Sequence, residues 1–207
     1  MGMLKRLLRW LLTALYKVDV KGIEHLQGAG KRCLIVANHT SFLDALFLVA
    51  FLPDDLTFAV NTQVAQRKLF KPFFRLTHIF PMDPTNPLST KSLIRYLQQD
   101  KRAVIFPEGR ITVTGALMKI YDGTGLVADR SQAMVVPVRI DGAQYTPFSR
   151  LRGRIRLRWF PKVTLTVLQA RRISPPEDIR GRERRKLAGR ALADLMTEMM
   201  FTSSNYR

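Results

Sequence analysis

The sequence predicts an α/β class fold: a single domain with a central, largely parallel mixed sheet flanked by helices, plus an N-terminal amphipathic helix. Three observations carry that reading. Short continuous apolar runs, CLIVA (33–37), AVIFP (103–107) and AMVVPVRI (133–140), have the composition of strands covered on both faces. Segments with apolar residues at helical spacing lie between such runs. Finally, 207 residues make one ordinary domain, and no internal repeat or long linker divides them.

Taken in order, the chain opens with MGMLKRLLRWLLTALYKV, in which Leu4, Leu7, Leu8, Leu11, Leu12 and Leu15 recur at helical spacing among Lys5, Arg6, Arg9 and Lys17. A helix of about sixteen residues is roughly 24 Å long, short of a hydrocarbon core of roughly 30 Å. Its basic, Leu- and Trp-rich character suits a helix lying in a membrane interface over residues 1–17, ahead of a domain over 18–207. A helix docked on the core is the competing reading. A signal peptide fits less well, because no small-residue cleavage site follows.

VDVKGI (18–23) and CLIVAN (33–38) read as strands, FLDALFLVAFL (42–52) as a helix and LTFAV (56–60) as a strand. AQRKLFKPFFRL (65–76) has a helical pattern interrupted by Pro72. HIFPMDPTNP (78–87), with three prolines, reads as a turn-rich segment. LSTKSLIRYLQQD (88–100) is a helix by the spacing of Leu88, Ser92, Leu93, Tyr96 and Leu97. RIRLRWF (154–160), alternating basic and apolar residues, and VTLTVL (163–168) read as late strands, and ERRKLAGRALADLMTEMM (183–200) as a closing basic helix.

The charge narrows the partners. Lys and Arg number 34 against 16 Asp and Glu, a net +18, which predicts an anionic partner: nucleic acid, an acidic lipid surface or an acidic protein. A hydrophobic fraction of 46% excludes a disordered polar chain. The single cysteine, Cys33, lies in an apolar run and forms no internal disulfide.

Two strand ends carry unusual polar residues, ANHTSFLD (37–44) after CLIV and FPEGRIT (106–112) after AVI. Ligands of α/β sheets sit beyond the carboxyl ends of strands, so both junctions can face one crevice. Histidine is the side chain best suited to accept a proton near neutral pH. A carboxylate on its far ring nitrogen would fix the tautomer and stabilise the imidazolium. Within one helix, positions five apart point about 140° away from each other. With His39 on the turn before the helix and Asp44 in its first turn, the chain can fold one back to the other. The same stretch also matches a capping box, with Ser41 as N-cap and Asp44 reaching back to a free amide. Metal binding is not expected, because no other histidine or cysteine lies close in sequence. Nor is a G-x-S-x-G nucleophile elbow present.

NHTSFLD (38–44) and FPEGRIT (106–112), each following an apolar strand and succeeded by VVPVRI, resemble the paired signatures of the glycerolipid acyltransferase family. That family includes the lysophosphatidic acid acyltransferases and is marked by His-x-x-x-x-Asp followed by Phe-Pro-Glu-Gly. Within it, FPEGRITVTGALMKIYDGTG (106–125), FPMDPTNP (80–87) and PVRIDGAQYTPFSRL (137–151) are similar to one group. This is the acyltransferase portion of the bacterial bifunctional 2-acylglycerophosphoethanolamine acyltransferases/acyl-acyl-carrier-protein synthetases.

The resemblance implies transfer of a fatty acyl group from a thioester, on acyl carrier protein or coenzyme A, to the free hydroxyl of a lysophospholipid, with no bound cofactor. His39 would be the general base and Asp44 its orienting partner. Glu108 and Gly109 would position the glycerol and phosphate of the acceptor, with Arg110 and Lys119 as phosphate contacts. The implied partners are a membrane surface and, in a longer chain, an acyl-acyl-carrier-protein synthetase domain; the implied location is the cytoplasmic face of the bacterial inner membrane. Arg150–Lys162 is the candidate donor or membrane patch.

Two departures bear on the acceptor. The common family form after Phe-Pro-Glu-Gly is Thr-Arg-Ser, with arginine one position later than Arg110. Where many members carry another arginine, this chain offers Met82 and Asp83. A phosphate monoester carries about −1.5 to −2 charges, whereas a phosphoethanolamine diester carries one with a compensating cation. Asp83 therefore points to 2-acyl-glycerophosphoethanolamine as acceptor, with 1-acylglycerol-3-phosphate as the alternative. A turn-starting role for Asp83 is the plain reading of the same residue. A nucleic-acid-binding module, supported by charge and by Trp159 and Phe160 amid arginines, lacks a recognised motif.

Overall fold

Helix α1 (Met3–Tyr16) leads into β1 (Asp19–Lys21), α2 (Ile23–Gly28), β2 (Cys33–Ala37), α3 (Asp44–Phe51), β3 (Leu56–Asn61) and the single turn α4 (Thr62–Ala65). Then come β4 (His78–Met82), α5 (Pro87–Gln98), β5 (Arg102–Ile105), α6 (Asp122–Ser131), β6 (Met134–Asp141), β7 (Thr164–Val167), β8 (Arg171–Arg172) and α7 (Gly181–Thr202). This computed structural model describes residues 2–53, 55–66, 75–83 and 86–202.

The strands form one sheet in the order β1-β7-β6-β2-β5-β3-β4, with β8 on β6. The ladders from β6 through β2, β5 and β3 to β4 are parallel; β7 and β8 run antiparallel to β6, and β1 is parallel to β7. Successive side chains of a strand point to opposite faces, and that alternation divides the apolar runs between two cores. Cys33, Ile35 and Ala37 of β2 pack toward α1, α2 and α3, while Leu34 and Val36 pack toward α5, α6 and α7. Cys33 is fully buried, and burial pushes its thiol pKa up to about 12.

The α7 helix is clamped to α6 at close range. A Cβ on Gly125 would lie 2.3 Å from the Ala188 carbonyl oxygen, so only glycine admits this approach. The buried Asp129 carboxylate accepts a two-pronged bond from Arg184, at 2.8 Å from Nε and 2.7 Å from Nη2.

The α1 helix is docked and open at once. Leu12 and Tyr16 are buried against α3, Tyr16 meets Phe47 edge-on at 5.3 Å, and Lys5 Nζ donates to the Leu52 carbonyl at 2.9 Å. Its other apolar side, Met3, Leu4, Leu7, Trp10 and Leu11, is exposed, Trp10 by 67%. The docked reading holds for one face of the helix; the other is apolar and exposed, and it is the face that the interfacial reading concerns. No helix among the described residues is long and apolar enough to cross a membrane.

Two segments differ from expectation. HIFPM, read as turn-rich, is strand β4, paired with β3 so that Pro81 lies opposite Val60. Among the described residues β4 is an edge strand, where a residue lacking an N–H is tolerated. RIRLRWF, read as a strand, carries neither strand nor helix; residues 152–155 and 159–160 form turns and bends around an irregular 156–158. On β7 one side is taken by β6 and the other by β1, which leaves that segment no edge there. The helical pattern over 65–76 lies mostly outside the described residues.

Candidate active site

Strands β2 and β5 are parallel neighbours with Val36 opposite Ile105. Continuing that register by three positions sets His39 beside Glu108, which is how two distant sequence blocks reach one place. Asn38 ends β2 by copying a strand partner with its side chain: Nδ2 donates to the Ile140 carbonyl at 2.9 Å, and Oδ1 accepts from the Ile140 amide at 2.8 Å. The chain then turns, and α3 starts at Asp44.

Asp44 is fully buried and organises that turn. Its Oδ2 lies 2.9 Å from His39 Nδ1 and accepts from the Thr40 amide at 2.5 Å and the Ser41 amide at 2.8 Å. Its Oδ1 accepts from the Thr40 hydroxyl at 3.3 Å. Asp44 does reach back to the Ser41 amide while orienting the imidazole, but the reciprocal half of the capping box is absent: the N-cap of α3 is Leu43, with no side-chain cap, and the Ser41 hydroxyl serves the Leu43 amide instead. Ser41 Oγ accepts from the Leu43 amide at 3.2 Å and meets Thr146 Oγ1 at 3.1 Å.

His39 is held at four points. Besides Asp44, its amide donates to Glu108 Oε1 at 2.7 Å and its carbonyl accepts from the Thr112 amide at 2.8 Å. The Phe106 ring stacks on the imidazole, with centroids 4.1 Å apart and planes inclined by 17°. The His39 side chain is 20% exposed. With Nδ1 on the carboxylate, Nε2 is the nitrogen left for a substrate proton.

Glu108 is buried, and its second oxygen accepts from the Met118 amide at 2.7 Å. Burial pushes its carboxyl above the ordinary range, while the amides of Met118 and His39 pull it the other way. Glu108 thus clasps the His39 turn to the 110–120 segment, with one backbone bond on each oxygen. Gly109 has φ +66°, and a Cβ there would lie 3.2 Å from the Tyr121 ring. The positive φ calls for glycine, and a Cβ would further require the Tyr121 ring to give way slightly. Arg110 and Lys119 are exposed on the same segment, with Lys119 Nζ 5.9 Å from the Tyr121 ring centroid. Asp83 stands at the end of β4, two strands from β5. Its carbonyl accepts from the Asn86 amide and its own amide donates to Ser89 Oγ, both at 3.1 Å, so it opens the turn into α5.

Sequence reading did not find Phe106, Thr112 or the Met118 amide as parts of this site. For Phe106 the signal was present, next to the Pro-Glu-Gly it precedes. The two backbone contacts leave no trace in residue pattern.

The sequence model of the family described as Acyltransferase matches residues 17–141. A 1-acyl-sn-glycerol-3-phosphate acyltransferase of Limnanthes alba is 27% identical over 149 residues, 70% of this chain and 51% of that protein. One of Bacillus subtilis is 27% identical over 127 residues, 60% of this chain and 63% of the other. One of Pseudomonas aeruginosa is 29% identical over 150 residues, 67% of this chain and 55% of the other. The chain spans about half the length of the first of these curated relatives. The crystal structure of the 1-acyl-sn-glycerophosphate acyltransferase PlsC from Thermotoga maritima superposes with a TM-score of 0.67. That match covers 95% of this chain and 78% of the other at 19% identity, a likeness of fold.

Proposed function

The chain belongs to the acyltransferase family, and on that premise we propose that it transfers a fatty acyl group from a thioester to the free hydroxyl of a lysophospholipid. The observation that carries the reading is the 2.9 Å contact of His39 Nδ1 with the buried Asp44 carboxylate. His39 Nε2 takes the proton of the lipid hydroxyl as its oxygen attacks the thioester carbonyl. The carbon–sulfur bond then breaks, and the leaving thiolate regains that proton from the imidazolium. Asp44 holds the tautomer and offsets the imidazolium charge. No protein nucleophile is needed. Glu108 acts as a positioning residue, because both its oxygens already hold backbone amides.

The acceptor we assign is 1-acylglycerol-3-phosphate. The relatives above bear that substrate in their names, and the exposed Arg110 and Lys119 suit the double charge of a phosphate monoester. A second reading, 2-acyl-glycerophosphoethanolamine, rests on Asp83 and on the resemblance to the bifunctional enzymes. The donor is acyl carrier protein or coenzyme A thioester, and the exposed face of α1 lies in the interface of the cytoplasmic bilayer leaflet. A nucleic-acid-binding role would leave the His39–Asp44 pair without a task.

The test offers the purified chain both thioesters and both lysophospholipids in mixed micelles. We expect turnover, faster with the monoester, and its loss by about 10²- to 10⁴-fold in His39→Ala with the fold retained. Turnover surviving in that variant would reject the base assignment. Faster turnover with the ethanolamine lipid would move the acceptor to the second reading.

A further inference from the structure

The Arg150–Lys162 segment crosses between the catalytic turn and α1, and its ends are fastened to both. Just before it, the Phe148 carbonyl accepts from the Phe42 amide at 3.2 Å, and Ser149 bridges to Ser41. Just after it, the Val163 amide donates to the Tyr16 carbonyl at 3.0 Å. Midway, the Arg158 amide donates to the Tyr145 carbonyl at 2.7 Å, and Leu151 is buried as an anchor. A segment fixed in this way is a built surface.

What it presents is unusual for a structural strap. Arg152, Arg154, Arg156 and Arg158 are all exposed, and no ion pair among the described residues engages them. Trp159 is 66% exposed and Phe160 56%. Phe160 meets Tyr16 edge-on at 5.6 Å, and the Arg150 guanidinium lies 5.7 Å from the Phe42 ring centroid. Phe42 and Phe148 are exposed as well, beside the turn that holds His39. Solvent alone gives no reason to display two large aromatic side chains among four unpaired cations.

We propose that this segment is a second membrane foot, separate from α1, that seats on the surface of an anionic phospholipid bilayer. Guanidinium groups complement the negative headgroups, and tryptophan and phenylalanine suit the boundary between headgroup and acyl chain. The foot adjoins α1 at Phe160 and the catalytic turn at Arg150, so a bilayer engaged there lies next to His39. This deepens the acyltransferase reading by naming the surface that delivers the acceptor. The binding needs no turnover, and its test can fail while that reading stands.

The chain has two tryptophans, Trp10 and Trp159, so Trp10→Phe leaves Trp159 as the sole reporter in the full-length chain. Its fluorescence is followed on adding phosphatidylcholine vesicles with and without phosphatidylglycerol, each also prepared with brominated acyl chains. We expect a blue shift and bromolipid quenching with the anionic vesicles and little change with the neutral ones. The quadruple Gln variant of the four arginines should bind anionic vesicles at least tenfold more weakly. Three outcomes would overturn the proposal: vesicle-bound protein whose Trp159 stays in water, undiminished binding by the Gln variant, or shielding of Trp159 by an oligonucleotide or an acidic carrier protein but not by anionic vesicles.

Discussion

At the ends of β2 and β5, polar groups are buried and spoken for: Asp44 gathers four donors, Glu108 holds two amides, and His39 is gripped by ring, amide and carbonyl. In Arg150–Lys162, which abuts that turn in space, the guanidinium groups of Arg152, Arg154, Arg156 and Arg158 stand in water. The two regions touch, through Phe42 and Phe148, yet follow opposite rules. Proton transfer needs one geometry, so its groups are desolvated and over-tied. A fluid, charged surface has no single geometry to match, so groups that meet it stay solvated and free to adjust. The distinction sorts the chain's basic residues by their surroundings, where net charge alone cannot.

The largest break in this comparison comes from neutralising the tied carboxylate. In Asp44→Asn the amide oxygen can still accept from Thr40 and Ser41, so the turn and α3 persist. The negative charge that offsets the imidazolium is gone. We expect kcat to fall by about 10²- to 10⁴-fold, with the thermal midpoint nearly unmoved, measured by steady-state kinetics beside circular dichroism. A small loss in kcat with a collapsed midpoint would mean that Asp44 serves the turn alone.

A smaller effect is expected at the clasp. Glu108→Gln keeps one acceptor but turns an NH₂ group toward either the His39 or the Met118 amide. One strap is lost, at a cost of about 1–3 kcal/mol in stability, and kcat should fall through displacement of His39. The pH dependence carries a sign. Burial raises the Glu108 pKa above its ordinary 4.5, so the folded chain holds that proton more tightly than the unfolded chain. The stability this favours is fully present below the ordinary value and is lost as pH rises through the raised one. Urea midpoints of parent and variant should therefore draw together as pH rises across that window. A widening gap would mean that the two amides outweigh burial.

The site was half legible in the sequence, and the dividing line is physical. His39 and Asp44 lie five apart, so their meeting is local and a turn-to-helix pattern reveals it. The continuous apolar runs of β2, β5 and β6 announce strands covered on both faces. The carboxyl-end rule let the Glu108 junction share a crevice with His39, but not which atoms meet, because the register of Val36 on Ile105 is a tertiary fact. The prolines of HIFPM read as a turn, since pattern alone does not tell an edge strand from a central one. The alternation of RIRLRWF imitated a half-buried strand, but its arginines face water without a ladder beside them. Helix α6 went unread because Gly123 and Gly125 weaken helical propensity, although Gly125 is what lets α7 approach.

The smallest expected effect sharpens the comparison most, because it concerns a contact without a charge or a hydrogen bond. Phe106 lies flat on the His39 ring at 4.1 Å, a contact that fixes the imidazole plane about the bond to Asp44. Such a pair is worth about 0.5–1.5 kcal/mol beyond burial. At about 1.36 kcal/mol per tenfold, that is a two- to thirteen-fold effect on rate. Phe106→Leu keeps an apolar side chain in a half-buried place, so the fold should hold and KM should barely change. The expected result is a several-fold fall in kcat, recovered in Phe106→Tyr, which restores the ring. An unchanged kcat would show that carboxylate and backbone suffice to aim the imidazole. A change confined to KM would place Phe106 against the substrate, because a group that only steadies the base alters the rate of proton removal and leaves acceptor affinity untouched.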